Sequence, residues 1–308
     1  MTDNIRLDGK VAIVTGSGRG LGQAMALALV EAGANVIATD IIDENLEQLE
    51  KEAASLSSAT RPKTGTLTGI TADIRQSNDC LRVIEAALAS FSRLDILINN
   101  AGLLPSYAYP GRFLEGAEPA KFWNLSDDVI QDVIDTNFVA HDRMARYAAP
   151  HMIARGWGRI VNVTTRLTPM NRAGGSPYGA SKSALEMASE IWMRDLEGTG
   201  VTVNILNPGA TGDTPCFATP EEKRVATTSG RLHMMHPNQM RAPAVWLVSD
   251  STDGVCGMTR YHGTPHAPPP NRRPCMGGPL GFNLKSKLGG DKQEVRDDTP
   301  TTGTRTAI

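Results

Sequence analysis

The sequence predicts an α/β protein built on a doubly wound parallel sheet. Three observations predict this class: short β-branched runs that alternate with helical segments, a glycine-rich turn after the first run, and acidic or amide residues directly after several strands. Strands that alternate with helices are typical of a parallel sheet with helices on both faces. With 308 residues, of which 40% are hydrophobic, the chain can bury the core of one large domain.

The first forty residues contain the start of this pattern. Residues 10–14 are β-branched and apolar, as in a strand buried on both faces. The glycine-rich turn 15–22 follows, and residues 23–32 have the spacing of a helix that ends at Gly33. A second strand is predicted at 35–39.

The alternation continues to residue 206. Further strands are predicted at 67–72, 94–98, 159–163 and 201–206, and further helices at 42–56, 79–90, 127–153 and 178–198. The segment 127–153 fits one long helix or a pair of helices. Together these elements predict a single domain over residues 5–263.

Two segments break the alternation. Residues 103–125 are rich in proline and aromatic side chains, and we expect a long structured loop at the carboxyl edge of the sheet, where ligands bind. Residues 264–308 are rich in proline and glycine and have a single aromatic residue, Phe282. Such a tail is predicted to be mostly disordered, since it buries too little apolar surface; an extension that wraps a neighbouring subunit is the alternative.

Composition excludes several classes of protein. The 31 basic and 33 acidic residues give a net charge of -2, which argues against sequence-independent binding to nucleic acid. Apolar runs are too short to span a bilayer, and the first residues lack the pattern of a secretory signal. The four cysteines, Cys80, Cys216, Cys256 and Cys275, are widely scattered, so neither a disulfide framework nor a metal site is expected. We expect a soluble cytoplasmic protein.

The glycine turn predicts a dinucleotide site. Gly16 permits a sharp turn, Gly20 permits close approach of the backbone to a pyrophosphate, and Gly22 permits the helix to pack closely. The positive end of the following helix then faces the phosphates. The alternative is a purely structural turn.

Asp40 indicates which dinucleotide is bound. It lies eighteen residues beyond Gly22, where a carboxylate accepts hydrogen bonds from the adenosine ribose and repels a 2′-phosphate. This favours NAD. Arg19 is a potential partner for a 2′-phosphate, which leaves NADP as the alternative, and Asp40 could instead cap the helix that follows it.

Tyr178 and Lys182 form the second functional pair. Positions four apart on a helix share a face, so the hydroxyl and the ammonium are expected to project together. A nearby cation lowers the pKa of a phenol, which enables a tyrosine to exchange a proton with an alcohol or ketone. The alternative for such a spacing is a solvated helix face.

Together these motifs resemble those of the short-chain dehydrogenase/reductase family over about residues 5–263. The resemblance rests on residues 15–22, Asp73, residues 99–102, Asn137, the Tyr178 and Lys182 pair, and residues 207–209. It implies a Rossmann-type domain in which Tyr178 is the acid/base and Lys182 binds the nicotinamide ribose. Asn137 is similar to the family's asparagine that holds a water in the proton relay.

The resemblance also extends the set of site residues. Asp73 is expected to contact adenine, Asn99 to Gly102 to line the cofactor cleft, and Pro208 and Gly209 to flank the nicotinamide. The predicted cofactor-binding residues are Gly16, Arg19, Gly20, Leu21, Gly22, Asp40, Asp73, Ile74, Asn99, Ala101, Gly102, Tyr178, Lys182, Pro208, Gly209 and Thr211. The predicted catalytic residues are Tyr178, Lys182, Thr165 and Asn137.

Two positions depart from the family's pattern. The family's catalytic serine lies thirteen residues before the tyrosine, where this chain has Thr165, which keeps the hydroxyl but adds a methyl that narrows the pocket. After Gly209, Asp213 occupies the position where the family often has a threonine, so either Thr211 or Thr214 is expected to contact the carboxamide.

Other candidate residues carry weaker predictions. His233 and His236 are expected to belong to a polar stretch rather than a metal site. Four aromatic residues of the long loop either line a substrate pocket or anchor the loop; they are Tyr107, Tyr109, Phe113 and Trp123. Arg166 and Arg172 either contact an anionic substrate or are simply solvated.

The sequence therefore predicts an NAD-dependent oxidoreductase that acts on a secondary alcohol or ketone. A nucleotide sensor without turnover and a scaffold protein that recruits partners through its tail are the alternatives. The resemblance implies a homodimer or homotetramer.

Overall fold

Six parallel strands form the central sheet of the computed structural model, which describes residues 5–56, 64–112, 114, 117–118, 121–213, 219–228 and 234–253. The strands are β1 (Val11–Thr15), β2 (Asn35–Asp40), β3 (Leu67–Thr71), β4 (Ile96–Asn99), β5 (Gly158–Val163) and β6 (Val201–Leu206). Their order across the sheet is 3-2-1-4-5-6 and each pairing is parallel. This is the order of a doubly wound Rossmann-type sheet, and the predicted fold class is confirmed.

Helices cover both faces of this sheet. They are α1 (Gly20–Glu31), α2 (Asp43–Ser55), α3 (Ser77–Phe91), α4 (Pro105–Ala108), α5 (Asp127–Ile134), α6 (Ala140–Ala154), α7 (Leu167–Met170), α8 (Tyr178–Asp195), α9 (Pro220–Thr228) and α10 (Arg241–Leu247). Two short strands, β7 (Thr211–Gly212) and β8 (Met234–Met235), pair separately. Helices α1, α2 and α10 pack on one face of the sheet, and α3 and α6 pack on the other.

Strand β1 explains why an uninterrupted apolar run is needed at this position. Ala12 and Val14 lie in the core under α1, whereas Val11 and Ile13 lie in the core under α3 and α6. Successive side chains of a strand point to opposite faces, so a strand covered on both sides has no polar face.

Most element boundaries shift from the sequence prediction by one to three residues, and three differences bear on the cleft. Helix α1 begins at Gly20 rather than at residue 23, so the last residues of the glycine turn belong to the first turn of the helix. The segment 127–153 is interrupted by a π-helical turn, Asp135–Val139. The predicted loop 103–125 contains α4 and a short 3₁₀ turn, Phe122–Asn124.

The described residues all fall within one compact unit, Met1–Cys275. The predicted tail, residues 264–308, lies outside the described residues, and the domain boundary at residue 263 stays a prediction. Among the helices that the structure describes, none is long and apolar enough to cross a membrane.

Candidate active site

A cleft of about 710 Å³ opens at the carboxyl ends of the six strands. Most of the predicted site residues line it: Gly16, Arg19, Gly20, Leu21, Asp40, Asp73, Ile74, Ala101, Gly102, Thr165, Tyr178, Lys182, Pro208, Gly209 and Thr211. Gly22, Asn99 and Asn137 are buried and are not among the lining residues. The strand order reverses between β1 and β4, and ligands of such sheets bind at this point.

The glycine turn is shaped by two close backbone approaches. Gly16 has φ +60°, and a Cβ atom there would lie 2.6 Å from the Cα of Ala101. A Cβ atom on Gly22 would overlap the carbonyl oxygen of Gly16. Side chains are therefore excluded at both positions, and Gly22 acts by packing against the turn from behind the cleft.

Thr15 and Asn100 hold this turn against the end of β4. The sequence predicted that Asn100 lines the cleft, which it does, but it did not predict these hydrogen bonds to the turn. The amide nitrogen of Asn100 donates to the carbonyl oxygens of Thr15 (3.0 Å) and Gly16 (2.9 Å). The Thr15 hydroxyl oxygen accepts from the main-chain N–H groups of Asn100 and Ala101. A polar residue at the end of the apolar β1 run was the available signal.

The N-terminus of α1 suits an anionic ligand. Its N-cap residue, Arg19, is exposed and provides no side-chain hydrogen bond to the first turn of the helix. The next residues, Gly20 and Leu21, line the cleft. Free N–H groups and the helix dipole at such an end attract phosphate, so the residues present fit the pyrophosphate of a dinucleotide.

Asp40 lines the cleft at the end of β2 with its carboxylate already positioned. Oδ2 accepts from the main-chain N–H of Gly18 (3.0 Å) and Oδ1 from that of Ile42 (3.2 Å). The residue thus bridges the glycine turn and the start of α2 while remaining partly exposed to the cleft. Asp40 does not cap α2, since the N-cap residue is Ile42 and no side chain caps this helix; the alternative role as a cap is therefore wrong.

The Asp73 carboxylate is bound within the protein. Arg75 donates to it from Nε (3.0 Å) and Nη2 (2.8 Å), which holds the pKa of Asp73 below its usual range. Arg75 also forms an ion pair with Asp132 (2.7 Å), which accepts from the hydroxyl of Tyr107. This chain of contacts forms one edge of the cleft and was not predicted, although Arg75 lies only two residues from Asp73.

Tyr178 and Lys182 lie one turn apart at the start of α8, and both are buried. The Lys182 ammonium donates to the carbonyl oxygen of Val163 (2.9 Å), at the end of β5. Burial lowers the pKa of Lys182 to about 8, because water no longer solvates the charged form. Thr165 follows β5 and lines the same part of the cleft.

Asn137 lies behind this wall, in the π-helical turn. Its Oδ1 accepts from the N–H of Leu103 (2.8 Å), and its Nδ2 donates to the carbonyl of Leu103 (2.9 Å) and to the hydroxyl of Ser181 (3.1 Å). Ser181 in turn donates to the carbonyl of Tyr178 (2.7 Å). The side chain therefore ties the chain after β4 to the helix that carries the tyrosine.

Asn99 is also behind the cleft. Its amide donates to Oδ1 of Asn162 (2.8 Å) and to the carbonyl of His141 (3.3 Å). His141 itself is fully buried and lies beside the main chain of Ala101 and of Asn137. Burial, followed by the charge of Lys182, lowers its pKa well below 6.5. Sequence reasoning missed this histidine because it follows no motif.

Some of the remaining candidate residues line the cleft and others lie outside it. Tyr107, Arg166 and Arg172 line the cleft, whereas Trp123 is 67% exposed and packs edge-on against Phe122. His236 accepts from the N–H of Asn238 at the start of a short 3₁₀ turn. Three of the predicted residues lie outside the described residues, namely Phe113, Thr214 and His233.

Comparison with known proteins identifies the family. The profile of the family described as short chain dehydrogenase matches residues 10–224. The chain belongs to this family. Its members are oxidoreductases that use a nicotinamide cofactor, and the resemblance inferred from the motifs is confirmed.

Relatives of the chain act on different substrates. A 2-dehydro-3-deoxy-D-gluconate 5-dehydrogenase of Escherichia coli is 31% identical over 262 residues, which is 82% of this chain and 93% of the relative. A 3-oxoacyl-acyl-carrier-protein reductase of Thermotoga maritima is 28% identical over 256 residues, 82% of this chain and 96% of the relative.

Two solved structures show the same architecture. One, from Beutenbergia cavernae, is described as an NAD(P)-dependent gluconate 5-dehydrogenase with NADP bound at low occupancy; it has a TM-score of 0.68 and 28% identity, covering 84% of this chain and 97% of its own. A short-chain alcohol dehydrogenase from Sinorhizobium meliloti has a TM-score of 0.71 and 25% identity, covering 84% of this chain and 96% of its own.

Proposed function

We propose that this oxidoreductase transfers a hydride between NAD(H) and a secondary alcohol or ketone, with Tyr178 as the acid/base. The observation that carries the proposal is the pair Tyr178 and Lys182, buried one helical turn apart on α8 and lining the cleft with Thr165. The nucleotide sensor and the scaffold protein gain no support, because neither needs a buried, ionisable pair at the ligand site.

Each residue of this wall has a distinct task in the proposed reaction. The Tyr178 hydroxyl takes the alcohol proton during oxidation and returns a proton to the oxygen during reduction. The Lys182 ammonium, held by the carbonyl of Val163, stabilises the phenolate form. The Thr165 hydroxyl donates to the substrate oxygen and orients it. Asn137 positions Tyr178 through Ser181 and the main chain.

The cofactor would lie along the other strands of the cleft. The glycine turn and the N-terminus of α1 would hold its pyrophosphate, and Asp40 would accept from the adenosine ribose. When bound, the nicotinamide ring supplies or accepts the hydride. The Asp40 carboxylate favours NAD, because it would repel a 2′-phosphate.

NADP is the second candidate cofactor. The guanidinium of Arg19 lines the cleft and has no hydrogen bond or ion pair among the described residues. The structure from Beutenbergia cavernae has NADP bound. An unpaired cation near the ribose is the kind of group that holds a 2′-phosphate.

We further propose a homodimer or homotetramer. Apolar side chains are exposed on the two long helices of one layer, with Ile153 near the end of α6 and Met187 and Ile191 on α8. Exposed apolar side chains that cluster on one surface are typical of interfaces between subunits.

The first test is a screen for reduction of NAD and NADP by secondary alcohols, including sugar acids, aryl alcohols and steroids. With a substrate from this screen, the turnover of Tyr178→Phe is then compared with that of the parent protein. Loss of the hydroxyl should lower turnover by about 10²–10⁴-fold. Tyr147→Phe is the matched control, since its hydroxyl bonds Ser77 on α3 outside the cleft. Parental turnover in Tyr178→Phe would overturn the mechanism.

A further inference from the structure

One wall of the cleft has positive charge and no negative charge. This wall, residues 163–182, forms the substrate end, and it contributes Arg166 and Arg172 to the lining in addition to Lys182. The carboxylates among the described lining residues are Asp40 and Asp73, which both lie at the cofactor end. The cofactor end therefore carries both signs, because Arg19 and Arg75 line it with the two carboxylates, whereas the charged side chains of the substrate end are all positive.

The two arginines of the substrate end are not used by the fold. Both are exposed, and neither guanidinium has a hydrogen bond or ion pair among the described residues. Arg75, which lines the opposite end, is bound to two carboxylates. An arginine that the protein does not pair is available to a ligand, and its planar fork matches a carboxylate or a phosphate.

A third cation lies close to Arg172. Arg112, in the chain that follows α4, has its pKa lowered to about 10, first by burial and then by the charge of Arg172. The charge of Glu222 acts in the opposite direction. Two neighbouring guanidinium groups repel each other, and an anion bound beside them would reduce this repulsion.

We propose that the substrate carries an anionic group, a carboxylate or a phosphate ester, bound by Arg166 and Arg172 while its carbinol carbon lies at Tyr178 and Thr165. Oxidation converts the CH–OH to a ketone, with the hydride passing to the cofactor and the proton to Tyr178; the anionic group is unchanged. The assignment of the reacting end rests on the proposed function. Binding of the anion does not, since it is measurable without turnover.

The experiment uses matched pairs of probes with the NAD-saturated protein. For carboxylates, 3-hydroxybutyrate and gluconate are compared with the methyl ester of 3-hydroxybutyrate and with sorbitol. For phosphates, glycerol 3-phosphate and sorbitol 6-phosphate are compared with glycerol and sorbitol. Binding is measured as the shift in melting temperature with probe concentration, and NAD reduction is measured in parallel.

We expect at least one anionic probe to bind more tightly than its neutral partner. Arg172→Ala and Arg166→Ala should each raise its dissociation constant, and KM where it is turned over, by about 10- to 100-fold with little change in kcat. Arg172→Lys should recover part of the affinity, because the charge remains without the fork. Arg194→Ala is the control: it removes the same charge from the exposed end of α8, outside the cleft lining, and should change neither constant.

The outcomes separate this inference from the proposed reaction. Equal binding of anionic and neutral probes by the parent protein, or unchanged binding in both arginine variants, would overturn the anion site. Arginine-dependent anion binding that persists in a protein without turnover would support the anion site and count against the proposed function. Which pair shows the preference, the carboxylates or the phosphates, identifies the anionic group.

Discussion

The cofactor end and the substrate end of the cleft differ in whether their charged side chains are paired within the protein. At the cofactor end, Asp40 is held by two main-chain N–H groups and Asp73 by Arg75. At the substrate end, Arg166 and Arg172 have no partner among the described residues. Lys182, buried beside them, has a carbonyl oxygen as its acceptor.

This difference indicates which end has its charged side chains fixed in position before a ligand binds. The cofactor end is preorganised by hydrogen bonds that also stabilise the fold, so substitutions there should alter ligand choice and stability together. At the substrate end the protein keeps the buried ammonium of Lys182 at a cost in stability, and its exposed guanidinium groups do not contribute to the fold. Substitutions there should reduce activity while leaving the fold as stable or more stable.

After Tyr178→Phe, the largest expected effect is on the rate, from Thr165. Thr165→Val keeps the shape of the side chain and removes the hydroxyl, so the substrate oxygen loses a hydrogen-bond donor. We expect turnover to fall by about 10²–10³-fold. Thr165→Ser is the matched control: the hydroxyl stays and the pocket widens, so turnover should change little or rise. Steady-state kinetics on the two variants decides this; equal turnover of the valine and serine variants would exclude the assigned role.

At the cofactor end, Asp40→Ser should change cofactor choice. It removes the acceptor for the ribose and the repulsion of a 2′-phosphate, and the free guanidinium of Arg19 can then pair with that phosphate. We expect the dissociation constant for NAD to rise by about 10- to 100-fold and that for NADP to fall. Fluorescence titration with the reduced cofactors measures both.

Asp40→Asn separates the two contributions of the carboxylate. The amide keeps an oxygen that can accept from Gly18 or Ile42 but removes the negative charge. In this variant NADP should bind more tightly, because the negative charge is gone. NAD binding should weaken less than in the serine variant, because the amide oxygen can still accept a hydrogen bond. A parent protein that already prefers NADP would contradict the assignment.

The fold and most of the cleft lining could be predicted from the sequence because they depend on local patterns. Apolar runs of strand length, the glycine turn and the four-residue spacing of Tyr178 and Lys182 each specify a conformation within a few residues. The resemblance of the motifs to a known family then placed Thr165 and Pro208 in the same cleft, where the structure has them.

The parts that could not be predicted depend on contacts between distant residues. Nothing near Asn137 in the sequence indicates that its amide bonds Leu103 and Ser181, 34 and 44 residues away. Likewise the pairing of Arg75 with Asp132 requires the packed positions of the chain after β3 and of α5. The free arginines of the substrate end were visible in the sequence, but only the structure shows that they lack partners.

A smaller effect, on stability, should come from Lys182→Met. The methionine has a similar length and removes a buried charge, so we expect the free energy of unfolding of the cofactor-free protein to rise by about 2 kcal/mol at pH 7, with activity lost. The pKa of Lys182 is about 8 in the folded protein against 10.5 for the free side chain.

The pH dependence checks the cause of this stabilisation. Between pH 8 and 10.5 the unfolded chain binds more protons than the folded protein, so the stability of the parent should increase with pH across this window. The methionine variant should lack that increase. Urea titrations at pH 7, 9 and 10 measure both effects, and a less stable methionine variant at pH 7 would show that the ammonium stabilises the fold.

The smallest expected effect lies behind the substrate end, at His141. Burial lowers the pKa of this imidazole well below 6.5. Below pH 6.5 the unfolded chain therefore binds a proton at His141 that the folded protein does not bind. The free energy of unfolding should therefore fall on acidification, by at most about 1.4 kcal/mol per pH unit from this group.

The variant His141→Leu tests this slope. Leucine fills a similar volume without a titratable nitrogen and should reduce the slope between pH 6.5 and 5. Identical slopes in the parent and in His141→Leu would contradict this prediction. They would mean that a hydrogen-bond acceptor or a water stabilises the charged imidazole inside the protein. The destabilisation on acidification would then not come from burial of His141.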